Sequence, residues 1–285
     1  MNPEDQEASL RLHQKMADED EQLRHADEDA QCETAYLRVR LGDRYVREGH
    51  LFRAIGQYKR AVQIDGRNAY FRTRLGDAYV FAEMIDQAMT QYRHAIAADP
   101  ADSDPRVSLG DVYCRFGMHS QALEQYQIAV ELSPERAYYW FKVSDTLVQM
   151  GMLEAAVAPL EGAVGLAPED AFYRFRLGEL LLRLARREEA AEQLGEAVRC
   201  APYDDYYHVC CATALLACGR LLEAVRFFRR ALQISPRNRC YHVLLADAYA
   251  AAGHLRHADL LRRRAGELDR YDQEFVHRRR AEARG

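Results

Sequence analysis

Three similar heptapeptides recur along the chain: RLGDRYV at residues 40–46, RLGDAYV at 74–80 and SLGDVYC at 108–114. They begin 34 residues apart, and a fixed period of this length is typical of proteins built from stacked structural repeats. With Gly42 placed at position 8 of a unit, the chain divides into seven units without insertion or deletion. These units are residues 35–68, 69–102, 103–136, 137–170, 171–204, 205–238 and 239–272.

Small residues recur in three columns of this alignment. Position 20 is alanine in every unit from Ala54 to Ala258, and position 27 is alanine in every unit from Ala61 to Ala265. Position 8 is always small and is occupied by Gly42, Gly76, Gly110, Ser144, Gly178, Ala212 and Ala246. Positions 4, 7, 8 and 11 share one helical spacing and positions 20, 24 and 27 another, which predicts two helices in each unit. A small residue at position 8 lets those two helices approach closely.

Helix-breaking residues separate the two predicted helices. Position 15 is glycine in most units, as at Gly49, and is expected to end the first helix. Position 32 is proline in most units, as at Pro100, and is expected to end the second helix. A single helical hairpin leaves one apolar face uncovered, so successive units are expected to stack.

The pattern resembles the tetratricopeptide repeat family over residues 35–272, in period and in every column described above. The resemblance implies an all-α fold, a right-handed superhelical α-solenoid of antiparallel helix pairs. It also implies a concave groove lined by the first helix of each pair.

The two ends of the chain carry opposite charge. Residues 1–34 hold eleven acidic and three basic residues, a net charge of −8, and we expect either an acidic capping helix or an arm there. Residues 256–285 hold nine arginines and six acidic residues, a net charge of +3. We expect the last helix to run on into FVHRRRAEA at residues 275–283 as a cap, with 273–285 as its basic end.

The resemblance also implies which residues line the groove, because positions 2, 5, 9 and 13 of the first helix face it in the family. Carried over to this sequence, the candidate partner-binding residues are Tyr36, Val39, Asp43, Tyr70, Thr73, Asp77, Phe81, Asp111, Arg115, Tyr138, Phe141, Asp145, Phe172, Phe175, Glu179 and Tyr206. Aromatic rings are favoured binding anchors because they bury much area at low entropy cost. This groove would suit a peptide with apolar anchors and some basic residues.

A purely structural reading of the same residues stays open. Aromatic residues also occupy position 3, as at Phe71 and Tyr139, so some of these rings must pack between units. Four acidic residues at position 9 have a basic residue three positions before them, in the pairs Arg40–Asp43, Arg74–Asp77, Lys142–Asp145 and Arg176–Glu179. Such pairs stabilise a helix by about 0.2–0.5 kcal/mol and would leave the carboxylates locally satisfied.

Several classes of protein are disfavoured by the composition. No apolar run approaches the length of a membrane span, and the polar N-terminus lacks the features of a signal peptide, so we expect a cytoplasmic protein without membrane insertion. The seven cysteines form no CxxC pair, which argues against a disulfide framework or a zinc site. No nucleotide-binding or metalloprotease motif is present, and we expect no enzyme activity, cofactor or metal.

The predicted function is that of a non-catalytic scaffold or adaptor. It would bind a partner protein or peptide in its groove, as a subunit of a larger complex. One alternative is a self-assembling structural protein that uses head-to-tail contacts between its oppositely charged ends, so homo-oligomerisation stays open. The other is an RNA-binding helical repeat, which the acidic residues at position 9 disfavour because they would repel phosphate.

Overall fold

The computed structural model describes residues 31–267 and 279–283, and every regular element within them is a helix. Fourteen helices occupy residues 31–267, and residues 279–283 are also helical. The helices are α1 (Gln31–Arg47), α2 (Leu51–Ile64), α3 (Ala69–Phe81), α4 (Ile85–Ala98), α5 (Asp104–Arg115), α6 (His119–Leu132), α7 (Ala137–Gln149), α8 (Leu153–Leu166), α9 (Ala171–Arg183), α10 (Arg187–Cys200), α11 (Asp205–Ala217), α12 (Leu221–Ile234), α13 (Arg239–Ala251) and α14 (Leu255–Gly266).

These helices form pairs, which confirms the prediction of an all-α solenoid of helix pairs. The odd-numbered helices are called first helices below and the even-numbered ones second helices. The chain divides into two compact units, Met1–Ser133 and Pro134–Gly285. The first of these compact units, called unit 1 below, contains α1 to α6. The second, called unit 2, contains α7 to α14 together with residues 279–283. Both are larger than the seven 34-residue units of the sequence alignment.

The two helices of a pair meet where position 8 faces position 24. A Cβ atom added to Gly76 would lie 2.6 Å from the Tyr92 ring, and one added to Gly178 would lie 2.5 Å from the Leu194 side chain. These distances are too short for real carbon contacts, so glycine is required for this approach. The alanines at positions 20 and 27 are buried in every pair, as predicted.

The first helices end in a left-handed residue at position 15, as their glycines predict. Gly49 has a φ of +78°, and the same conformation recurs at Glu83 and Ala185, where φ is +58° without a glycine. The next amide closes the helix, since His50 N donates to the carbonyl of Tyr45 at 2.8 Å. This is the Schellman arrangement that ends many helices.

The second helices end before position 32. The residue in front of the proline is extended, as at Asp99, where φ is −136° and ψ is 94°. Proline favours this conformation in the residue that precedes it. Most of the following first helices are then capped by a side chain, as when Asp204 accepts a hydrogen bond from the amide of Tyr207 at 3.0 Å.

The side chain at position 4 of a first helix donates a hydrogen bond to a backbone carbonyl in the turn that precedes the helix. Trp140 donates to the carbonyl of Pro134 at 2.8 Å, and Arg174 donates to that of Pro168 at 2.6 Å. His208 Nε2 lies 3.1 Å from the carbonyl of Pro202. Since a carbonyl only accepts, Nε2 of this histidine carries the hydrogen. The residue type changes between pairs while the contact persists.

The end segments expected from the sequence lie largely outside the described residues. Helix α1 begins at Gln31, within the segment expected to be a separate cap or arm, and residues 1–30 lie outside the described residues. Helix α14 ends at Gly266, before the segment 273–285 that the sequence predicts as the end of a cap. Glycine is a poor helix former and is common at helix ends. Residues 268–278 also lie outside the described residues.

Candidate protein-interaction surface

Four aromatic rings at position 2 are exposed on the first helices. Tyr36, Tyr70, Tyr138 and Phe172 are 47%, 45%, 44% and 41% exposed, respectively. Of the neighbouring rings at position 3, Phe71 and Tyr139 are buried, and Tyr173 is half-buried. The surface formed by positions 2, 9 and 13 of the first helices is called the first-helix face below.

Ring contacts between successive first helices fix the orientation of these side chains. In unit 1, Tyr36 meets Phe71 edge to face with ring centroids 4.9 Å apart. In unit 2, Phe141 meets Phe172 in the same way at 5.1 Å. Such pairs contribute about 0.5–1.5 kcal/mol beyond the burial of their area. The exposed rings are therefore held in place before any partner binds.

Three of the sixteen predicted groove residues do not lie on an accessible surface. Val39 is 2% exposed, and Thr73 and Phe175 are each 8% exposed. All three occupy position 5, one helical step before position 8, so the close approach of the helices at position 8 draws them into the interior. Thr73 also donates its hydroxyl to the carbonyl of Ala69 at 2.9 Å.

The other predicted groove residues remain accessible to different degrees. Phe81 is 64% exposed, and Arg115 is also exposed. The half-buried members are Asp43, Asp77, Asp111, Phe141, Asp145, Glu179 and Tyr206.

The carboxylates at position 9 have hydrogen-bond partners inside their own pairs in unit 1. The hydroxyl of Tyr58 donates to Asp43 at 2.6 Å, and that of Tyr92 donates to Asp77 at 2.8 Å. Tyr126 donates to Asp111 in the third pair. Burial and, after it, the neighbouring carboxylate raise the pKa of the Tyr58 phenol, which therefore stays protonated and keeps its role as donor.

Arginines at position 6 bridge carboxylates of successive pairs. Arg74 lies 2.5 Å from Asp43 of the preceding pair and 3.4 Å from Asp77 of its own. In unit 2, Arg176 lies 2.9 Å from Asp145 and 3.4 Å from Glu179. The local pairs Arg74–Asp77 and Arg176–Glu179 are thus present, as the structural reading of these residues expected.

Partial burial leaves one of these carboxylates poorly solvated. Burial raises the pKa of Asp77, and the Tyr92 hydroxyl and the Arg74 guanidinium offset only part of that effect. The carboxylates at position 9 are thus mostly paired with tyrosines and arginines of the fold. Any basic group of a partner must compete with the arginines that are already in place.

Residues 279–283 lie on the first-helix face of unit 2. The Arg279 side chain is 1% exposed and donates to the hydroxyl of Tyr206 at 2.5 Å. It also pairs with Glu282 of the same segment at 2.7 Å. The next residue, Arg280, donates from Nε to Asp247 at 2.6 Å. The sequence alone does not predict these contacts, because they join residues far apart in the chain; the run of arginines is the only signal.

Two cavities in unit 2 flank this segment. One has a volume of about 270 Å³ and is lined by residues that include Phe141, Glu179 and Arg279. The other has a volume of about 490 Å³, and its lining includes Leu244, Asp247 and Arg279 again. The first combines an aromatic wall with charged groups, and the second is more apolar.

The described cysteines of unit 2 are buried or half-buried. Cys210 and Cys211 are buried, and burial raises the pKa of each thiol to about 12. They are therefore poor nucleophiles at neutral pH. Among the described residues, no group of three or more His, Cys, Asp or Glu side chains could hold a metal ion.

One known family has a model that matches most of the chain. The family model described as the cilia and flagella-associated protein 70 C-terminal domain matches residues 66–282. The chain belongs to this family. That match covers most of the helix pairs described above. A comparison with curated proteins found no match. No helix in the described ranges has both the length and the apolar character that a membrane crossing needs.

Solved structures with similar folds are tetratricopeptide repeat proteins. A C-terminal part of such a protein from Cytophaga hutchinsonii is 17% identical, with a TM-score of 0.69, covering 84% of this chain and 98% of that one. The protein YrrB, whose structure is described as having an unusual peptide-binding site, is 18% identical with a TM-score of 0.56. That comparison covers 68% of this chain and 97% of YrrB. At these identities the likeness shows the tetratricopeptide repeat fold alone, which confirms the resemblance inferred from the sequence.

Proposed function

We propose that this chain is a non-catalytic adaptor that binds a partner protein or peptide on its first-helix face. The observation that carries the proposal is the set of exposed rings at position 2. Tyr36, Tyr70, Tyr138 and Phe172 are each more than two fifths exposed, although each ring contacts another aromatic ring. Large apolar side chains that are both exposed and held in position are typical of binding anchors.

The family and the structural relatives support a role in protein interaction. YrrB has the same fold and a described peptide-binding site. The family name points to cilia and flagella as the setting in which to search for the partner. The paired carboxylates at position 9 favour a partner that offers apolar anchors first and basic groups second.

The test is capture of partners from an extract of ciliated cells, followed by affinity measurement with the purified partner. One variant carries Tyr36→Ala and Tyr70→Ala in unit 1, and another carries Tyr138→Ala and Phe172→Ala in unit 2. A matched control carries Phe52→Ala and Tyr203→Ala, two exposed rings that are not on the first helices and are 80% and 78% exposed.

We expect one of the two position-2 variants to lose at least tenfold in affinity and the control to stay within about twofold, because truncating a binding anchor costs upwards of ~1.4 kcal/mol. Circular dichroism would establish that each variant is folded. If both folded variants kept the affinity of the wild-type chain while the control lost it, binding would lie elsewhere and the proposal would be wrong.

A further inference from the structure

The helical segment 279–283 contacts unit 2 through a buried arginine. The guanidinium of Arg279 lies over the Tyr206 ring, 5.1 Å from its centroid, and donates to the hydroxyl of that tyrosine. Its charged neighbours among the described residues include Glu282 at 2.7 Å and Glu179 at 4.0 Å. An arginine is buried at this level only where charged and aromatic partners offset the loss of water.

The neighbouring residue of the segment extends the contact to a different helix. Arg280 reaches Asp247 on α13, whereas Arg279 reaches Tyr206 on α11 and Glu179 on α9. Consecutive residues of a helix point about 100° apart, so two adjacent arginines can reach carboxylates on separate helices. The segment therefore spans three first helices of unit 2.

The side chains that receive the segment belong to the face proposed to bind partners. Tyr206 stands at position 2, and Glu179 and Asp247 stand at position 9. Arg279 lines both of the cavities that flank the segment, so this side chain occupies space that a partner could use on this face.

We propose that residues 279–283 are an intramolecular ligand of unit 2, and that a partner binds there by displacing them. This inference rests on the proposed function, because it assigns a regulator to the same face. The displacing partner would be a helical segment of matching chemistry. It would offer one arginine to Tyr206 and Glu179 and the next residue, also an arginine, to Asp247. An acidic residue would follow three positions after the first arginine. Until such a segment arrives, the chain's own segment occupies the part of the first-helix face formed by Glu179, Tyr206 and Asp247.

The test uses a fluorescent peptide with the sequence of residues 271–285 and measures its binding by anisotropy. It is titrated with the full chain and with a chain that ends at His277. We expect the shortened chain to bind the peptide at least tenfold more tightly than the full chain, whose site is filled. Arg279→Ala in the peptide should remove at least tenfold of that affinity, and Ala281→Gln, at an exposed residue, should have little effect.

A second variant keeps the proposal testable if the shortened chain folds poorly. Full-length chain with Arg279→Ala keeps every other residue and is expected to bind the wild-type peptide more tightly than the wild-type chain does. A folded variant of either kind that fails to bind the peptide would overturn the proposal, as would a wild-type chain that binds it equally well. A wild-type dimer that the truncation dissociates would also overturn it, because the segment would then act between copies.

These results can be told apart from a failure of the proposed function. The peptide assay needs only this chain, so peptide binding without any captured partner would leave the inference standing and refute the adaptor role. Conversely, a partner that depends on the position-2 rings but binds the full and shortened chains equally would preserve the adaptor role and refute the regulation.

Discussion

At the scale of single residues, the contact between positions 8 and 24 determines how closely two helices pack. Tyr58, Tyr92 and Tyr126 each lie against a glycine and each donate to the aspartate that follows it. One ring thus fills the space left by the missing Cβ and also satisfies a half-buried carboxylate. A larger residue at position 8 would disturb both interactions.

We expect Gly76→Ala to lower the free energy of unfolding by about 2 kcal/mol, because the new methyl group would lie 2.6 Å from the Tyr92 ring. The matched control is Gly56→Ala in the interior of α2, where an added Cβ meets nothing within 4 Å. Alanine there should raise stability by about 0.5–1 kcal/mol. Urea unfolding measures both, and equal effects of the same sign would contradict this account of the close approach.

The raised pKa of Asp77 leads to a prediction about pH. A carboxyl group whose pKa is higher in the folded state than its ordinary 3.8 makes the fold less stable as pH rises through the interval between the two values. Asp77→Asn keeps an acceptor for the Tyr92 hydroxyl and removes the buried charge. We therefore expect this variant to be at least as stable as wild type at pH 7, with an advantage that shrinks toward pH 4.

The companion variant changes the donor. Tyr92→Phe leaves the ionised Asp77 without the hydroxyl 2.8 Å away and should lower stability at pH 7 by about 1 kcal/mol. Thermal unfolding at pH 4, 5, 6 and 7 would follow both variants. An Asp77→Asn chain that is clearly less stable than wild type at pH 7 would show that the ion pair with Arg74 outweighs the cost of burial.

The residue columns were predictable from the sequence, but the side-chain partners were not. Glycine and alanine at positions 8, 20 and 27 follow from period and size alone. The hydroxyl contacts depend on Tyr at position 24 and Asp at position 9 occurring in the same pair, as in Tyr58 and Asp43. That joint occurrence was visible in the sequence, but comparing each column separately did not reveal it.

At the scale of secondary structure, each first helix ends in a left-handed residue, and two of these residues are not glycine. Ala185 and Glu83 both have a φ of +58°, a conformation that costs an L-residue about 1 kcal/mol. The Schellman hydrogen bonds hold them there nevertheless. The turn is thus specified by the helices on both sides and not by glycine alone.

We expect Ala185→Gly to raise stability by about 0.5–1 kcal/mol, because glycine adopts this conformation without strain. The reverse change, Gly151→Ala at a φ of +77°, should lower stability by about 1 kcal/mol. Nothing lies within 4 Å of a Cβ added to Gly151, so crowding cannot account for the loss. Denaturant midpoints that moved the same way for both changes would contradict the assignment of strain.

The helices themselves were predicted closely, and the exceptions have physical causes. Proline, glycine and capping residues mark where most helices begin and end. Position 5 was assigned to the groove, yet Val39 and Phe175 are buried. Helical spacing places position 5 near position 8, and only the observed closeness of the helices shows that both face inward.

At the scale of the whole molecule, the chain is an array of helix pairs whose first helices offer exposed aromatic residues. The stacking of helix pairs could be predicted because the same small and apolar positions recur in every pair. The docking of Arg279 against Tyr206 could not, since these residues lie 73 positions apart, more than two 34-residue repeats, and share no periodic relation. The basic end of the chain was noticed in the sequence but was expected to form a cap.

The central claim is that partners bind the first-helix face. Hydrogen exchange of the chain, alone and with its purified partner, tests this most directly. The account predicts slower exchange in first helices that carry exposed rings, α1 and α3 or α7 and α9, with the second helices unchanged. Slower exchange confined to second helices such as α2, α4, α8 and α10, with no change in the first helices, would contradict it.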